Sequence, residues 1–304
     1  MVGRPRRAWL VRLAITLLIL AWVLSRRDVW SGLRSAQVTA PWWLVGAVVS
    51  GVVAAVLAAV RWHCCLRACA CPRPFTTVLR ISLASAAAGL LSIGPVGVDA
   101  MRVVLAANGQ PASKGALLAS ISLDHVTALP ALLVLGAVVI STLGLTTGVS
   151  RHAVEILGLV LVLSVGAGLL IRSWRPAWHQ RVVYFVMLSI RSRHSAAAVA
   201  VSLPLLVAHY GAFWCAAQAL ALPAPAVGLF GAIVIADSIA ALPITLGGIG
   251  FREKSLELLL QRWYGVASAV SVVASLLGFL TLALVTVVGA LCFPLRRVQQ
   301  PLDP

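Results

Sequence analysis

GLLSIGPVGVDAMR, residues Gly89 to Arg102, is the stretch whose reading decides the fold. A second stretch answers it: LPITLGGIGFREKS, residues Leu242 to Ser255. Laid on one another, they bring Gly94 onto Gly247 and Gly97 onto Gly250, an offset of 153 residues or about half the chain. Each follows an apolar run of small residues and breaks at a Gly-rich kink. Each then carries an acid and an arginine at the start of a new apolar segment: Asp99 and Arg102 in the first, Arg252 and Glu253 in the second. Glycine costs about 1 kcal/mol and proline about 3 kcal/mol inside a helix, so neither stretch reads as continuous helix. Two Gly-interrupted apolar segments at corresponding places in two halves are the pattern of a transport site built from broken membrane helices.

Composition agrees. Only 11% of the 304 residues are charged, against about 25% in a soluble domain, and the mean hydropathy is +1.01. No soluble core hides that much apolar surface, so the sequence predicts an all-α polytopic membrane protein forming one integral membrane domain over 1–304. The net charge of +16 comes from Lys and Arg that mostly lie between apolar segments. It reads as topogenic charge facing anionic lipid. Nucleic acid is not an expected partner, since no basic module with interleaved aromatics is present.

The chain divides into spans and kinks. An apolar run ending near Leu24 reads as a first transmembrane helix, followed by Arg26 and Arg27 with no small-residue cleavage site. Trp42 and Trp43 read as interface anchors opening a span to Val60. A basic loop from Arg61 to Arg80 follows, broken by Pro72 and Pro74. Residues 81–93 and 98–107 form a helical hairpin that enters and leaves by one face. A long helix from Ala116 to about Leu143 carries Asp124, His125 and Pro130. Further spans are expected at 154–171, 196–220 and 266–292, with an interfacial helix at 182–190. Residues 227–242 and 251–263 form the second hairpin. The expected fold is therefore six full transmembrane helices plus two re-entrant broken-helix hairpins, in repeat-like halves of about 40–145 and 195–292.

The broken segments are open to two readings, re-entrant or fully spanning, and charge favours the first, since full spans would move the five-Arg loop of 172–194 to the opposite face. With both hairpins re-entrant, most of the 24 basic residues fall on one face, which is the cytoplasmic one by the positive-inside tendency. Both termini are then cytoplasmic, and the two hairpins enter from opposite faces as an inverted pair.

The kinks are the candidate binding site. Half-helices starting near Val98 and Phe251 would point free backbone N–H groups and positive dipole ends into the membrane, which suits an anion. Asp99 and Glu253 have a plain explanation as acids in a first helical turn. Arg102 and Arg252 oppose the dipole there, so each requires a carboxylate or an anionic ligand; Asp99 and Arg102 have the i,i+3 spacing of a helix pair. Asp124 lies near the bilayer centre and Asp237 at similar depth in the other half, and intramembrane acids call for a partner. His125 and His209 are candidates to pair with them, or to serve as helix-to-helix hydrogen bonds. Glu155 and Glu257 read as solvated or interfacial. The substrate-binding set is thus Gly94, Gly97, Asp99, Arg102, Asp124, Asp237, Gly247, Gly250, Arg252 and Glu253. No cofactor, catalytic group or metal site is expected. The cluster Cys64, Cys65, Cys69 and Cys71 beside His63 lacks two well-spaced pairs, although metal binding and incidental thiols both stay open. No P-loop, HExxH, GxSxG or GxGxxG motif is present.

At Arg61-Trp62, at Gly94-Pro-x-Gly-x-Asp-Ala-x-Arg102, at Ser122-x-Asp124 and at Pro243 to Glu253, the chain resembles the lysylphosphatidylglycerol synthase transmembrane family. The resemblance covers roughly residues 40–290. Family members often carry Arg after the helix acid, where this chain has His125. The aminoacyl-transferase domain of bifunctional members is not seen, so the resemblance implies lipid translocation or handling and no lysyl transfer. The expected function is a flippase in a bacterial inner membrane, moving an anionic or aminoacylated phospholipid or a polyprenyl lipid. The second reading is a scaffold for lipid- or glycan-synthesis enzymes. Membrane lipids are the expected partners, and a homo-oligomer stays open.

Overall fold

A computed structural model describes residues 38–90, 94–107, 114–147, 184, 191–240 and 250–293. These form eight α-helices and no strand among the described residues: α1 (Trp42–Ala68), α2 (Phe75–Gly89), α3 (Gly94–Ala107), α4 (Lys114–Thr147), α5 (Arg193–Ala219), α6 (Ala226–Ala240), α7 (Phe251–Tyr264) and α8 (Ser268–Cys292). The expected first transmembrane helix, the span at 154–171 and Gly247 lie outside them, as does 182–190 apart from Tyr184.

The order repeats. Helices of 27, 15, 14 and 34 residues are followed by helices of 27, 15, 14 and 25. Long, short, short, long occurs twice. At 1.5 Å per residue, a 27-residue helix reaches about 40 Å, which exceeds the roughly 30 Å hydrocarbon core. A 15-residue helix reaches about 22 Å and falls short. Stretches of α1, α4, α5 and α8 are each long and apolar enough to cross a membrane; α2 and α6 are apolar but too short.

The two 27-residue helices run antiparallel. Thr39, just before α1, bonds to Ala219 at the end of α5. Gly46 faces Cys215, and Ser50 Oγ donates to the Ala208 carbonyl at 2.8 Å. In lipid there is little hydrophobic drive between helices, so small residues and interhelical hydrogen bonds of about 0.6 kcal/mol each hold such a seam. Trp43 closes it edge-on against Trp214, ring centres 5.1 Å apart.

The short helices pair as hairpins. A Cβ on Gly89, at the end of α2, would fall 2.3 Å from Val98 in the second turn of α3. A Cβ on Gly228, near the start of α6, would overlap Tyr264 at the end of α7. Two apolar clusters place the hairpins at opposite ends of the long helices. One joins Trp62 and Leu66 of α1, Val78 and Ile81 of α2, Ala106 of α3, Leu117 and Leu123 of α4, and Ala198 of α5. The other joins Leu135 and Val139 of α4, Tyr210 and Phe213 of α5, and buried residues of α6, α7 and α8.

Three expectations change. The second span does not end at Val60 but runs to Ala68, so Arg61 is helical; its charge is met inside the bundle, as described below. The break comes at Cys69–Pro74, where Ala70 has φ +54° and two prolines prevent continuation. The first hairpin accordingly begins at Phe75, and its second helix begins at Gly94 rather than Val98. Pro95 falls in that helix's first turn, where a missing N–H breaks no intrahelical bond. Glu257, expected on a solvated face, is only 2% exposed and is bonded to Lys254 at 3.1 Å.

Candidate functional site

Five ionisable side chains meet where α1, α3 and α4 pass one another. Arg61 donates from Nε to Asp124 Oδ1 at 2.7 Å and from Nη2 to Oδ2 at 3.0 Å. Arg102 Nη1 reaches the same Oδ2 at 3.3 Å and Asp99 Oδ1 at 3.6 Å. His125 Nε2 lies 2.7 Å from Asp99 Oδ2. Trp62 forms the floor: the Arg102 guanidinium carbon sits 5.2 Å from its ring centre, and its indole N–H donates to Ser120 Oγ at 3.4 Å. A planar guanidinium matches a carboxylate with two parallel bonds, which suits Arg for a buried pair. Asp124 is 1% exposed and faces two guanidinium groups at once.

The second hairpin carries a smaller cluster. Arg252 Nε donates to Asp237 Oδ1 at 2.8 Å, and His209 Nε2 lies 3.0 Å from Asp237 Oδ2. The Arg252 guanidinium carbon lies over the rings of Phe213 and Phe279, 5.2 Å from each ring centre. Close approach makes this possible: Gly278 of α8 lies so near Phe213 that a Cβ would fall 2.3 Å from its ring. Glu253 is turned inward. It accepts from the Gly250 backbone N–H and from Ser275 Oγ at 3.2 Å, tying the start of α7 to α8. Gly250 has φ +90° and ψ −48°, a region reserved for glycine.

Two adjoining cavities lie between these clusters. One, of about 270 Å³, is lined by Gly89, Leu90 and Val98 from the first hairpin tip and by Asp237, Ala240 and Arg252 from the second. The other, of about 230 Å³, is lined by Ala54, Ala58, Ser82 and Arg102. Ala86, His209, Leu282 and Thr286 line both. An apolar groove of about 490 Å³ between α1, α2 and α8 shares Ala55 and Leu83 with the second cavity. Apolar walls with a few convergent cations are a setting in which an oxyanion is held firmly, because little water competes for the donors.

The site residues read from sequence fall into distinct places. Arg102, Asp99 and Asp124 come together, and Asp237 joins Arg252 across the second hairpin. Gly94 and Gly97 lie in the first turn of α3, and Gly250 caps α7. Glu253 is engaged in capping and in the α7–α8 contact. Arg102 lies in the third turn of α3 and not the first, so opposition to the helix dipole does not account for it. Under the 153-residue offset Arg252 falls on Asp99, not on Arg102, and the two clusters are wired differently. His125 pairs with Asp99 rather than Asp124; His209 pairs with Asp237. Arg61, Ser82, Phe213 and Phe279 were not singled out as site residues from sequence. Arg61 had a signal, since a cation beside an aromatic at the end of an apolar run can belong to the helix; Ser82 had none. The thiols of Cys65, Cys69 and Cys71 are buried among Trp62, Leu66 and Val78, and burial pushes the Cys71 thiol up to about 11.

Comparison with known proteins gives one match. The family described as "Lysylphosphatidylglycerol synthase TM region" matches residues 9–289. No curated protein and no solved structure matches the chain. The match covers most of the sequence, and the chain belongs to that family.

Proposed function

We propose that this member of the lysylphosphatidylglycerol synthase transmembrane family is a lipid flippase that carries an anionic head group between its two hairpin tips. The observation that carries the reading is the cleft itself: Arg102 and Arg252, from opposite hairpins, line adjoining apolar cavities that share His209 and Thr286. The substrate is an anionic or aminoacylated phospholipid or a polyprenyl lipid. Its phosphate accepts from the arginines, and its chains run in the groove bounded by Leu83, Val285 and Val288 and in surrounding lipid. The lipid leaves chemically unchanged.

Alternating access is the mechanism this reading implies. Each hairpin closes one end of the cleft, and rocking one hairpin away opens the head-group site to that side. The repeated helix order and the antiparallel seam of α1 with α5 support an inverted repeat of two halves. With the first transmembrane helix expected to end near Leu24 and a span expected at 154–171, the four long helices make six full helices beside two re-entrant hairpins. Both termini then lie on the cytoplasmic side of a bacterial inner membrane, with the basic residues around Arg67 and Arg73.

The test is leaflet exchange. Purified protein in liposomes should expose a fluorescent or aminoacylated anionic phospholipid to an impermeant quencher or amine reagent, and Arg102→Ala with Arg252→Ala should abolish the exposure. Lipid binding without exchange by the unaltered protein would instead favour a scaffold that presents lipid to a synthesis enzyme, and recovery of a modified lipid would favour an enzyme.

A further inference from the structure

Serines and threonines inside these helices mostly bond back to the carbonyl one turn earlier. Ser85, Ser122, Ser202, Ser238 and Thr281 each do so, at 2.6–3.1 Å. Ser82 does not. Its hydroxyl is buried, with the residue 5% exposed, and Oγ has no partner among the described residues. A buried hydroxyl without a partner costs roughly 1–3 kcal/mol. Ser82 lines the same cavity as Arg102. Arg102 is 9% exposed, and while its Nη1 faces Asp124 and Asp99, its Nε also has no partner among the described residues. Two residues that line one small cavity therefore each carry a buried donor with no acceptor among the described residues.

The adjoining cavity repeats the situation by other means. Arg252 gives Nε to Asp237, and its buried Nη1 has no partner among the described residues. The guanidinium carbon also lies over the rings of Phe213 and Phe279, which offer no hydrogen-bond acceptor of the oxygen kind. No carboxylate lines the cavity of Ser82 and Arg102, and Asp237, which lines the other, already accepts from Arg252 and faces His209. What each cavity calls for is an acceptor brought by a ligand, and the two share one wall of Ala86, His209, Leu282 and Thr286.

We infer that the cleft seats a lipid head group with two anionic centres, one accepting from Ser82 Oγ and Arg102 Nε and the other from Arg252 Nη1. This rests on the flippase reading for the site but not on transport, since it concerns binding alone. Two kinds of lipid supply the chemistry: a polyprenyl diphosphate and a lipid with two phosphodiesters. A single phosphate satisfies one cavity and leaves the other's donors without an acceptor. Ser82 is the residue that distinguishes the two classes of head group. Its hydroxyl adds a directional donor to the first seat and leaves the formal charge of the cleft unaltered.

The experiment is binding to the full-length protein in phosphatidylcholine nanodiscs, read by native mass spectrometry as competing lipids are titrated. The probes are phosphatidylglycerol, a bis-phosphatidyl lipid, a polyprenyl monophosphate and a polyprenyl diphosphate. At least one two-centre lipid should bind about tenfold or more tighter than its one-centre counterpart, and the one that does names the source. Ser82→Ala should shrink that preference about fivefold and leave thermal stability unchanged or raised. Ser82→Thr should restore the preference. Equal affinity for one- and two-centre lipids, with Ser82→Ala silent, overturns the two-seat inference while the anionic-lipid reading stands. Failure of every anionic lipid to bind above phosphatidylcholine overturns both.

Discussion

Arg61 holds Asp124 with two parallel hydrogen bonds, at 2.7 and 3.0 Å, between helices α1 and α4. Breaking a buried pair by removing one partner leaves an uncompensated charge, at a cost of about 3–5 kcal/mol. Asp124 serves Arg61 and Arg102 together, so Asp124→Asn should lower thermal stability in detergent more than Arg61→Gln does. Arg61→Met with Asp124→Leu should recover part of the loss, because a neutral apolar pair removes both desolvation penalties. A double variant as unstable as Asp124→Asn alone would show that Arg102, and not Arg61, is the partner that matters.

Arg252 faces a different test, because its guanidinium is stacked as well as paired. Arg252→Ala should weaken binding of an anionic lipid about tenfold or more. Arg252→Lys should recover only a small part of it: an ammonium is a point charge without the planar fork that packs against Phe213 and Phe279 while donating to Asp237. Phe279→Leu in the presence of Arg252 should move affinity in the same direction by a smaller factor. Lipid titration of the three variants in nanodiscs checks this, and full affinity in Arg252→Lys contradicts the role given to the rings.

Much of this was legible in the sequence, and the reasons for the rest are physical. Gly and Pro mark a broken helix where they cluster, as Gly94, Pro95 and Gly97 do, so both hairpins could be placed; single ones do not, and Pro130 and Pro204 sit inside α4 and α5. Asp124 and Asp237 stood out because a charge in an apolar run needs a partner, and Arg252 because a cation in a first helical turn opposes the dipole. The partners themselves were harder. Arg61 looked like the start of a basic loop, since the tendency that places Lys and Arg at the membrane surface applies to exposed charge. Arg61 is instead neutralised by an acid 63 residues later, a contact that no local pattern announces. Ser82 lies between Ile81 and Leu83 with no local pattern to mark it, and only its missing bond sets it apart. Glu253 had the spacing of a helix-start acid, which is what it is; its burial against Ser275 depends on α8.

Gly250 and Glu253 are expected to act on stability alone. Gly250→Ala forces a side chain into a backbone region that costs about 1–3 kcal/mol. Glu253→Gln exchanges a charge-assisted bond to the Gly250 N–H for a neutral one, at roughly 1 kcal/mol. Both variants should melt at lower temperature while retaining lipid affinity within about twofold at temperatures where they stay folded. Loss of affinity in folded Glu253→Gln would return this carboxylate to the binding site.

The opposite placement of the hairpins makes the last prediction, on which alternating access depends. The α1–α2 turn packs with the first hairpin, and the α5–α6 turn with the second, at the two ends of α4 and α5. Ala70 is exposed in the former and Pro223 in the latter. In a cysteine-free background, Ala70→Cys should react with an impermeant maleimide only from the cytoplasmic side, where Arg67 and Arg73 place it by the positive-inside tendency. Pro223→Cys should react only from outside. Sealed vesicles of known orientation, labelled before and after permeabilisation, distinguish the sides. If the two cysteines label from one side, both hairpins enter by the same face; no rocking motion then exposes the cleft alternately, and the arginines bind a lipid the protein does not carry across.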